Sequence, residues 1–262
     1  MEKRQRNRIH LAQNFLRSPR LVRRLVAIAE IEPRDTVYEI GAGRGIITAA
    51  LATRTNRVIA IEKDAHLVRR LRKEFGAHNN VKIIEKDFLQ FSIPDPEYKI
   101  FANIPYNLTA KIVRKILHER PSEAYLILQK EAAKKFSGRP RETLFSVLAK
   151  PFFDFQILYK LRRTDFEPVP DVDSVLLRIR RRLVPLIQRS DVGLYGEFVS
   201  YGFCKWRPHL RSAYKKIFTY KQWKHLSREL HFSLDATPSE LSFSQWLGLF
   251  EKMKENYNDR NF

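Results

Sequence analysis

Cysteine is almost absent from this sequence: Cys204 stands alone among 262 residues. A single thiol excludes an intramolecular disulfide and a cysteine-type zinc site, and it fits a reducing compartment. Long apolar runs are missing too. No stretch approaches the roughly 20 residues needed to cross a bilayer, so no transmembrane segment is expected. Met1 to Arg8 carries Lys3, Arg4, Arg6 and Arg8 but leads into no continuous apolar segment with a small-residue cleavage site, unlike a secretion signal. A cytoplasmic location follows as the expectation. Acidic residues are scarce in two blocks: residues 1–24 hold eight Lys and Arg against one acid, and residues 178–228 hold thirteen against two. Residues 25–177 are nearly balanced, with twenty-five against twenty. The net charge of +20 is therefore concentrated, and such clustering is the footprint of a polyanion partner. Nucleic acid is expected ahead of an acidic membrane surface, because no long helix with one basic and one apolar face is obvious in the first block.

What is present describes a globular chain, with 44% hydrophobic and 30% charged residues, long enough for an ordinary domain plus a smaller one. Short β-rich apolar runs alternate with helical patterns. The expected strands are Thr36–Ile40, Val58–Glu62, Val81–Lys86, Tyr98–Asn103, Ala124–Gln129, Phe155–Leu161 and Ser174–Arg180. The expected early helices are Ile46–Thr53, Ala65–Phe75 and Thr109–Glu119, with apolar residues three and four apart. This alternation implies an α/β fold with a mostly parallel sheet covered by helices on both faces. Ligands of such sheets lie beyond the carboxyl ends of the strands, where strand order reverses.

Motifs stand at those ends. The first strand runs into Gly41-Ala42-Gly43-Arg44-Gly45 and then a helix, a loop that lets backbone approach a ligand and offers helix N-terminal amides to an anion. The place of the third dinucleotide glycine is held by Ile46, which disfavours an NAD enzyme. Glu62, with Lys63 beside it, ends the second strand; its carboxylate suits the two hydroxyls of a ribose, or is a solvated strand-end acid. Asp87-Phe88 ends the third strand, either receiving an adenine amine against an apolar neighbour or capping the next turn. The set suits an adenosine bearing a carboxylate rather than a pyrophosphate, which describes S-adenosylmethionine. At the end of the fourth strand stands Asn103-Ile104-Pro105-Tyr106. The side-chain oxygen of Asn103 and the main-chain oxygen of Ile104 can accept both hydrogens of an exocyclic adenine amine, Pro105 stiffens the turn, and Tyr106 can stack on the base. An Asx-type turn followed by a buried tyrosine is the plainer alternative. No metal site is expected.

Taken together, these motifs resemble the Erm family of ribosomal RNA adenine methyltransferases and, more distantly, the small-subunit dimethyladenosine transferases. The resemblance runs from His10 to about Phe250. It rests on Gln13-Asn14-Phe15, Glu39 to Gly45, Glu62, Asp87, the tetrad, and Phe166-Glu167-Pro168-Val169-Pro170-Asp171-Val172-Asp173-Ser174. It implies a Rossmann-like class I methyltransferase fold with a seven-stranded sheet. It also implies that Gln13 and Asn14 close over the cofactor and that Phe166 stacks on the target adenine opposite Tyr106. By itself Phe166 reads as a core aromatic, while Pro168 and Pro170 favour a stiff exposed loop. The implied activity is transfer of one or two methyl groups to one adenine of 23S ribosomal RNA, giving macrolide, lincosamide and streptogramin B resistance. The small-subunit relatives usually carry Leu where this chain has Ile104. Leu108-Thr109-Ala110 departs from the Ile-Ser-Thr of many relatives and leaves mono- or dimethylation open. A non-catalytic RNA-binding factor on the same fold is the alternative of another class.

The alternation stops at Arg180-Arg181-Arg182, and Leu183-Val184-Pro185 reads as a linker. The expected domains are residues 1–182, catalytic with a basic N-terminal arm, and residues 183–262, a small all-α RNA-binding domain. Helical patterns there cover Leu194–Trp206, Pro208–Phe218, Lys221–Leu230 and Phe243–Lys252. Lys205, Arg207, Arg211, Lys215 and Lys216 interleave with aromatics, and with Arg4, Arg6, Arg8, Arg180, Arg181 and Arg182 they form the expected RNA contacts. Trp206, Trp223 and Trp246 are expected in the small domain's core. A monomer is expected.

Overall fold

A computed structural model describes residues 14–204 and 209–258 of the chain. Gln13, Arg4, Arg6, Arg8, Lys205, Trp206 and Arg207 lie outside the described residues.

Five segments form the parallel part of a seven-stranded sheet, all but the edge strand β4 largely buried: β2 (Thr36–Ile40), β3 (Arg57–Glu62), β4 (Val81–Glu85), β5 (Lys99–Asn103) and β6 (Glu123–Gln129). Near-continuous apolar runs such as Val58-Ile59-Ala60-Ile61 are what a strand covered on both faces requires. β7 (Phe153–Leu161) and β9 (Ser174–Arg181) complete the order β4-β3-β2-β5-β6-β9-β7, with β9 antiparallel to β6. Strand order reverses between β2 and β5. A separate ribbon pairs β1 (Phe15–Leu16) with β8 (Phe166–Glu167).

Side-chain caps place the helices. Ser18 accepts from the Leu21 amide ahead of α1 (Pro19–Ile28), which has proline in its first turn. α2 (Ile46–Ala52) follows the glycine loop, and Asp64 accepts from His66 and Leu67 to start α3 (Ala65–Phe75). These devices satisfy amides that the first helical turn leaves without partners. α4 (Thr109–Glu119) links β5 to β6. α1 was not among the expected helices. It is amphipathic after all: Val22, Leu25 and Val26 are buried, while Arg20, Arg23 and Arg24 are exposed.

The chain forms two compact units, Met1–Ala133 with Asp154–Arg181 and Lys134–Phe153 with Arg182–Phe262. The expected single boundary at residue 182 is corrected here, because residues 134–153 belong to the second unit. This insertion carries the second half of α5 (Lys130–Ser137) and all of α6 (Leu144–Ala149), whose Val147 sits in the helical core and receives the Tyr195 hydroxyl on its carbonyl at 2.9 Å. The rest of that unit comprises α7 (Val192–Gly202), α8 (Leu210–Ala213), α9 (Tyr220–Glu229) and α10 (Phe243–Asn258). Trp223 and Trp246 are buried in its core, as expected, with Phe198 stacked on Tyr214 at 4.6 Å. Among the described residues no helix is long and apolar enough to cross a membrane.

The arginine triplet needs a second correction. β9 is antiparallel, so its basic end pairs with the start of β6 (Arg180 opposite Glu123), at the end of the sheet opposite the motifs. Arg180 is hydrogen-bonded to Glu123 and paired with Glu30 at 3.0 Å. Arg181 pairs with Glu97 and donates to the Arg120 carbonyl at 3.0 Å, and Arg182 donates to the Lys150 carbonyl at 2.9 Å. These groups tie that end of the sheet together and do not form a free basic patch.

Candidate active site

The cleft lies beyond the carboxyl ends of β2, β3, β4 and β5. It is lined by Asn14 to Leu16, Ile40 to Arg44, Ile46, Ile47, Ile61 to Lys63, Lys86 to Leu89, Asn103 to Tyr106, Leu108 and Ile112. All the expected cofactor residues among those described line it except Gly45, which lies one residue from that wall. Gly45 instead seats the loop on α3. Its φ of +83° favours glycine, and a Cβ there would stand 2.7 Å from Phe75 Cε2 and 3.0 Å from Leu71 Cδ2. At Gly43 (φ +56°) a Cβ would meet Phe15 Cε1 at 2.9 Å, so β1 can close over the loop only because no side chain intervenes.

Glu62 does more than end a strand. Its buried carboxylate accepts from the Gly43 amide at 2.9 Å through Oε2, and from the Lys63 and Asp64 amides at 2.8 and 2.9 Å through Oε1. The loop is thereby fastened to β3, with lone pairs left for a hydroxyl. Four of the five loop amides are engaged within the protein: Gly41 and Ala42 donate to the Ile61 carbonyl, Gly43 to Glu62 and Gly45 to the Ala42 carbonyl. Amides for an anion remain in the first turn of α2. Asp87 takes the capping role, accepting from the Leu89 amide at 2.9 Å through Oδ1, while still facing the cleft.

Glu39 had no role assigned from the sequence. It is buried behind the loop, with Oε2 accepting from Thr48 Oγ1 at 2.5 Å and Oε1 unpartnered among the described residues. Burial pushes its carboxyl up to about 8.

At the tetrad, Asn103 Nδ2 donates to the Asn14 carbonyl at 2.7 Å. The donor end of the amide is thus committed, and Oδ1 is left as an acceptor without a partner among the described residues. The Ile104 amide is spent on the Ile127 carbonyl at 3.0 Å, and no hydrogen bond reaches the Ile104 carbonyl among the described residues. Tyr106 shares a 2.9 Å hydrogen bond with Ser174, the first residue of β9, and burial holds its phenol above the usual range. Nothing in the sequence announced this Ser174 contact or the Asn14 carbonyl, because both arise from segments far apart in the chain.

The placement of Phe166 is a further correction. It is fully buried in the core with Leu16, Phe101 and Leu176, and it does not line the cleft. Strand alternation explains this: in the two-residue β8, Phe166 points inward and Glu167 outward, where Glu167 meets Arg44 at 3.4 Å. The Arg44 guanidinium in turn lies 4.7 Å above the Phe15 ring. The exposed loop begins only after β8.

A cleft of acceptors (Glu62, Asp87) and apolar walls (Ile61, Phe88, Leu89), closed by backbone that a Cβ would displace, fits an adenosine-containing cofactor. With the Asn103 Oδ1 and Ile104 carbonyl acceptors lining it, the cleft has the composition of a nucleotide-type cofactor site in an α/β enzyme. The chain matches the ribosomal RNA adenine dimethylase family over residues 4–255 and belongs to it. It is an S-adenosylmethionine-dependent ribosomal RNA adenine methyltransferase. Similar proteins include an rRNA adenine N-6-methyltransferase of Bacteroides fragilis, 33% identical over 93% of this chain and 92% of the relative. The small subunit methyltransferase A of Acaryochloris marina is 30% identical over 95% and 97%. Among solved structures, the 23S rRNA methyltransferase ErmE superposes with a TM-score of 0.86 at 29% identity, over 92% of this chain and 100% of that one. A dimethyladenosine transferase from Plasmodium falciparum shares the fold, with a TM-score of 0.66 at 22% identity over 92% and 89%.

Proposed function

We propose that this chain methylates, once or twice, the exocyclic amine of a single adenine in 23S ribosomal RNA. It acts as a cytoplasmic monomer on protein-free RNA or an early assembly intermediate, without membrane association, and confers macrolide, lincosamide and streptogramin B resistance. The likeness to ErmE over its whole length supports the 23S target, and Ile104 agrees with it. The small-subunit target is the second reading, favoured by relatives such as that of Acaryochloris marina.

One observation carries the chemistry: Asn103 donates through its amide nitrogen to the Asn14 carbonyl, which orients the side chain and leaves its oxygen for the substrate. An adenine amine is a poor nucleophile because its lone pair is delocalised into the ring. Asn103 Oδ1 and the Ile104 carbonyl accept its two hydrogens and favour the pyramidal form that attack requires, so positioning and electrostatics replace a general base. Pro105 fixes the turn that presents the Ile104 carbonyl. Tyr106, with its hydroxyl tied to Ser174, offers one face to the base. Bound S-adenosylmethionine supplies the electrophilic methyl group. Glu62 and Asp87 would hold its adenosine, Asn14 and Phe15 would cover it, and the first turn of α2 would receive its carboxylate.

Labelled S-adenosylmethionine incubated with either protein-free 23S RNA or immature small subunits, followed by mapping of the base, decides the target. Label in the small subunit alone would sink the 23S reading. Asn103→Ala is expected to abolish transfer while keeping cofactor affinity within a few-fold, and an active variant would refute the role of the amide.

A further inference from the structure

We infer that the exposed face of α1, with the end of β7 and the turn after it, is the track along which the RNA backbone flanking the target base lies. This rests on the ribosomal RNA reading above. Arg20, Arg23 and Arg24 stand three and four residues apart on one face of α1, and exposed Arg17 precedes them. The Arg17 amide donates to the Asp165 carbonyl at 3.0 Å, and the Arg24 guanidinium lies 5.1 Å above the Tyr159 ring. Residues 17–24 therefore run alongside residues 159–165 for about 10 Å, which brings exposed Arg162 and Arg163, in the turn after β7, beside them.

Several other cations of the same unit are held by acids. Arg57 pairs with Asp95, Arg72 with Glu85, Arg178 with Glu30, and Arg180 and Arg181 are tied as described. Arg17, Arg20, Arg23 and Arg162 have no carboxylate partner among the described residues. Arg24 rests on an aromatic face, and Arg163 donates only to the Asp171 carbonyl at 3.3 Å. The local acids are otherwise engaged: Asp165 accepts from the Arg162 amide at 2.7 Å, and Glu167 meets Arg44. Crowded, unpaired cations repel one another until an anion joins them.

The occupant follows from what surrounds the patch. A membrane-surface helix inserts its apolar face into lipid, but here Val22, Leu25 and Val26 are already spent in the core, leaving only the basic face. Position argues for the substrate itself. Asn14, Phe15 and Leu16 line the cleft and Arg17 is the next residue, so the track begins at the rim where the target base enters. The arginines supply position and affinity, not sequence discrimination.

The test is the triple variant Arg17→Gln, Arg20→Gln, Arg23→Gln, in which exposed arginines are replaced by residues of similar helix propensity. Binding to a labelled 23S RNA fragment is measured by anisotropy against salt concentration, beside Lys215→Gln, Lys216→Gln in the helical unit. The slope of log affinity on log salt is expected to fall by about 2 in the triple variant, at roughly 0.7–0.9 for each phosphate no longer neutralised. Thermal midpoint and S-adenosylhomocysteine affinity should be unchanged. A triple variant with the wild-type slope overturns the track, more so if the lysine variant loses slope instead. If the triple variant folds poorly, Arg20→Gln and Arg23→Gln taken singly must each lower the slope by about 1, and a flat result overturns the inference. A wild-type protein that binds the fragment without salt dependence refutes the RNA reading itself. Loss of binding to phosphatidylserine vesicles with RNA binding unchanged would assign the patch to lipid and overturn the track.

Discussion

Replacing Glu62 with Gln is expected to weaken binding of S-adenosylmethionine and of its demethylated product by about 30- to 100-fold, with only modest loss of stability. The magnitude comes from the hydrogen bonds of one buried carboxylate. Its two oxygens receive three main-chain amides, from Gly43, Lys63 and Asp64. Glutamine has one acceptor oxygen, which can at best keep the Lys63 and Asp64 pair. Its amide group then faces the Gly43 N–H, donor against donor. Removing one charge-assisted hydrogen bond costs about 1.5–3 kcal/mol, and a buried donor left unmatched costs about 1–3 kcal/mol. The lower ends together make about 2.5 kcal/mol, close to a 70-fold change. Most of it should appear in cofactor affinity, because the broken hydrogen bond is the one that fastens the loop lining the cleft. Titration calorimetry with both ligands, and thermal unfolding without ligand, separate the two effects. An E62Q protein that binds within about threefold of wild type would show that the loop does not depend on this carboxylate, and the account of the cofactor site would be wrong.

Two further outcomes follow from the same region. Glu39 keeps its proton in the folded state up to about pH 8, whereas its ordinary value is 4.5. Between those values the unfolded chain binds fewer protons, so stability falls as pH rises through the window. Glu39→Gln should remove that slope, and a thermal-midpoint difference between variant and wild type that stays constant from pH 5 to 8 would refute it. Gly45→Ala combines a left-handed backbone with a Cβ 2.7 Å from Phe75, so it should cost about 1–3 kcal/mol and several degrees of thermal midpoint. Gly41→Ala, whose Cβ meets nothing within 4 Å, is the milder comparison in the same unfolding assay.

The strands and the motifs at their ends were legible because each signal is local. Val58-Ile59-Ala60-Ile61 reads as a buried strand wherever it stands, and the bounds of Thr36–Ile40, Ala65–Phe75 and Thr109–Glu119 agree with the structure. Helix α1 was harder, since arginines fill one whole face of a ten-residue segment. The insertion at residues 134–153 could not be assigned to the second unit from pattern alone, as its allegiance depends on Val147 packing among residues far along the chain.

By itself, the sequence determined the alternation of strand and helix, the glycine loop, the acidic strand ends and the tetrad, because periodicity and residue chemistry act over a few positions. Only the tertiary structure decided which of those groups are committed. Pairing of β1 with β8 buried Phe166, and the antiparallel run of β9 carried Arg180 and Arg181 to the far end of the sheet. The same ribbon set the Asn14 carbonyl against Asn103, and the start of β9 set Ser174 against Tyr106. Each of these hydrogen bonds joins residues at least 60 positions apart in the sequence. Strand direction and register place such pairs, and neither is written in the spacing of residues along one segment.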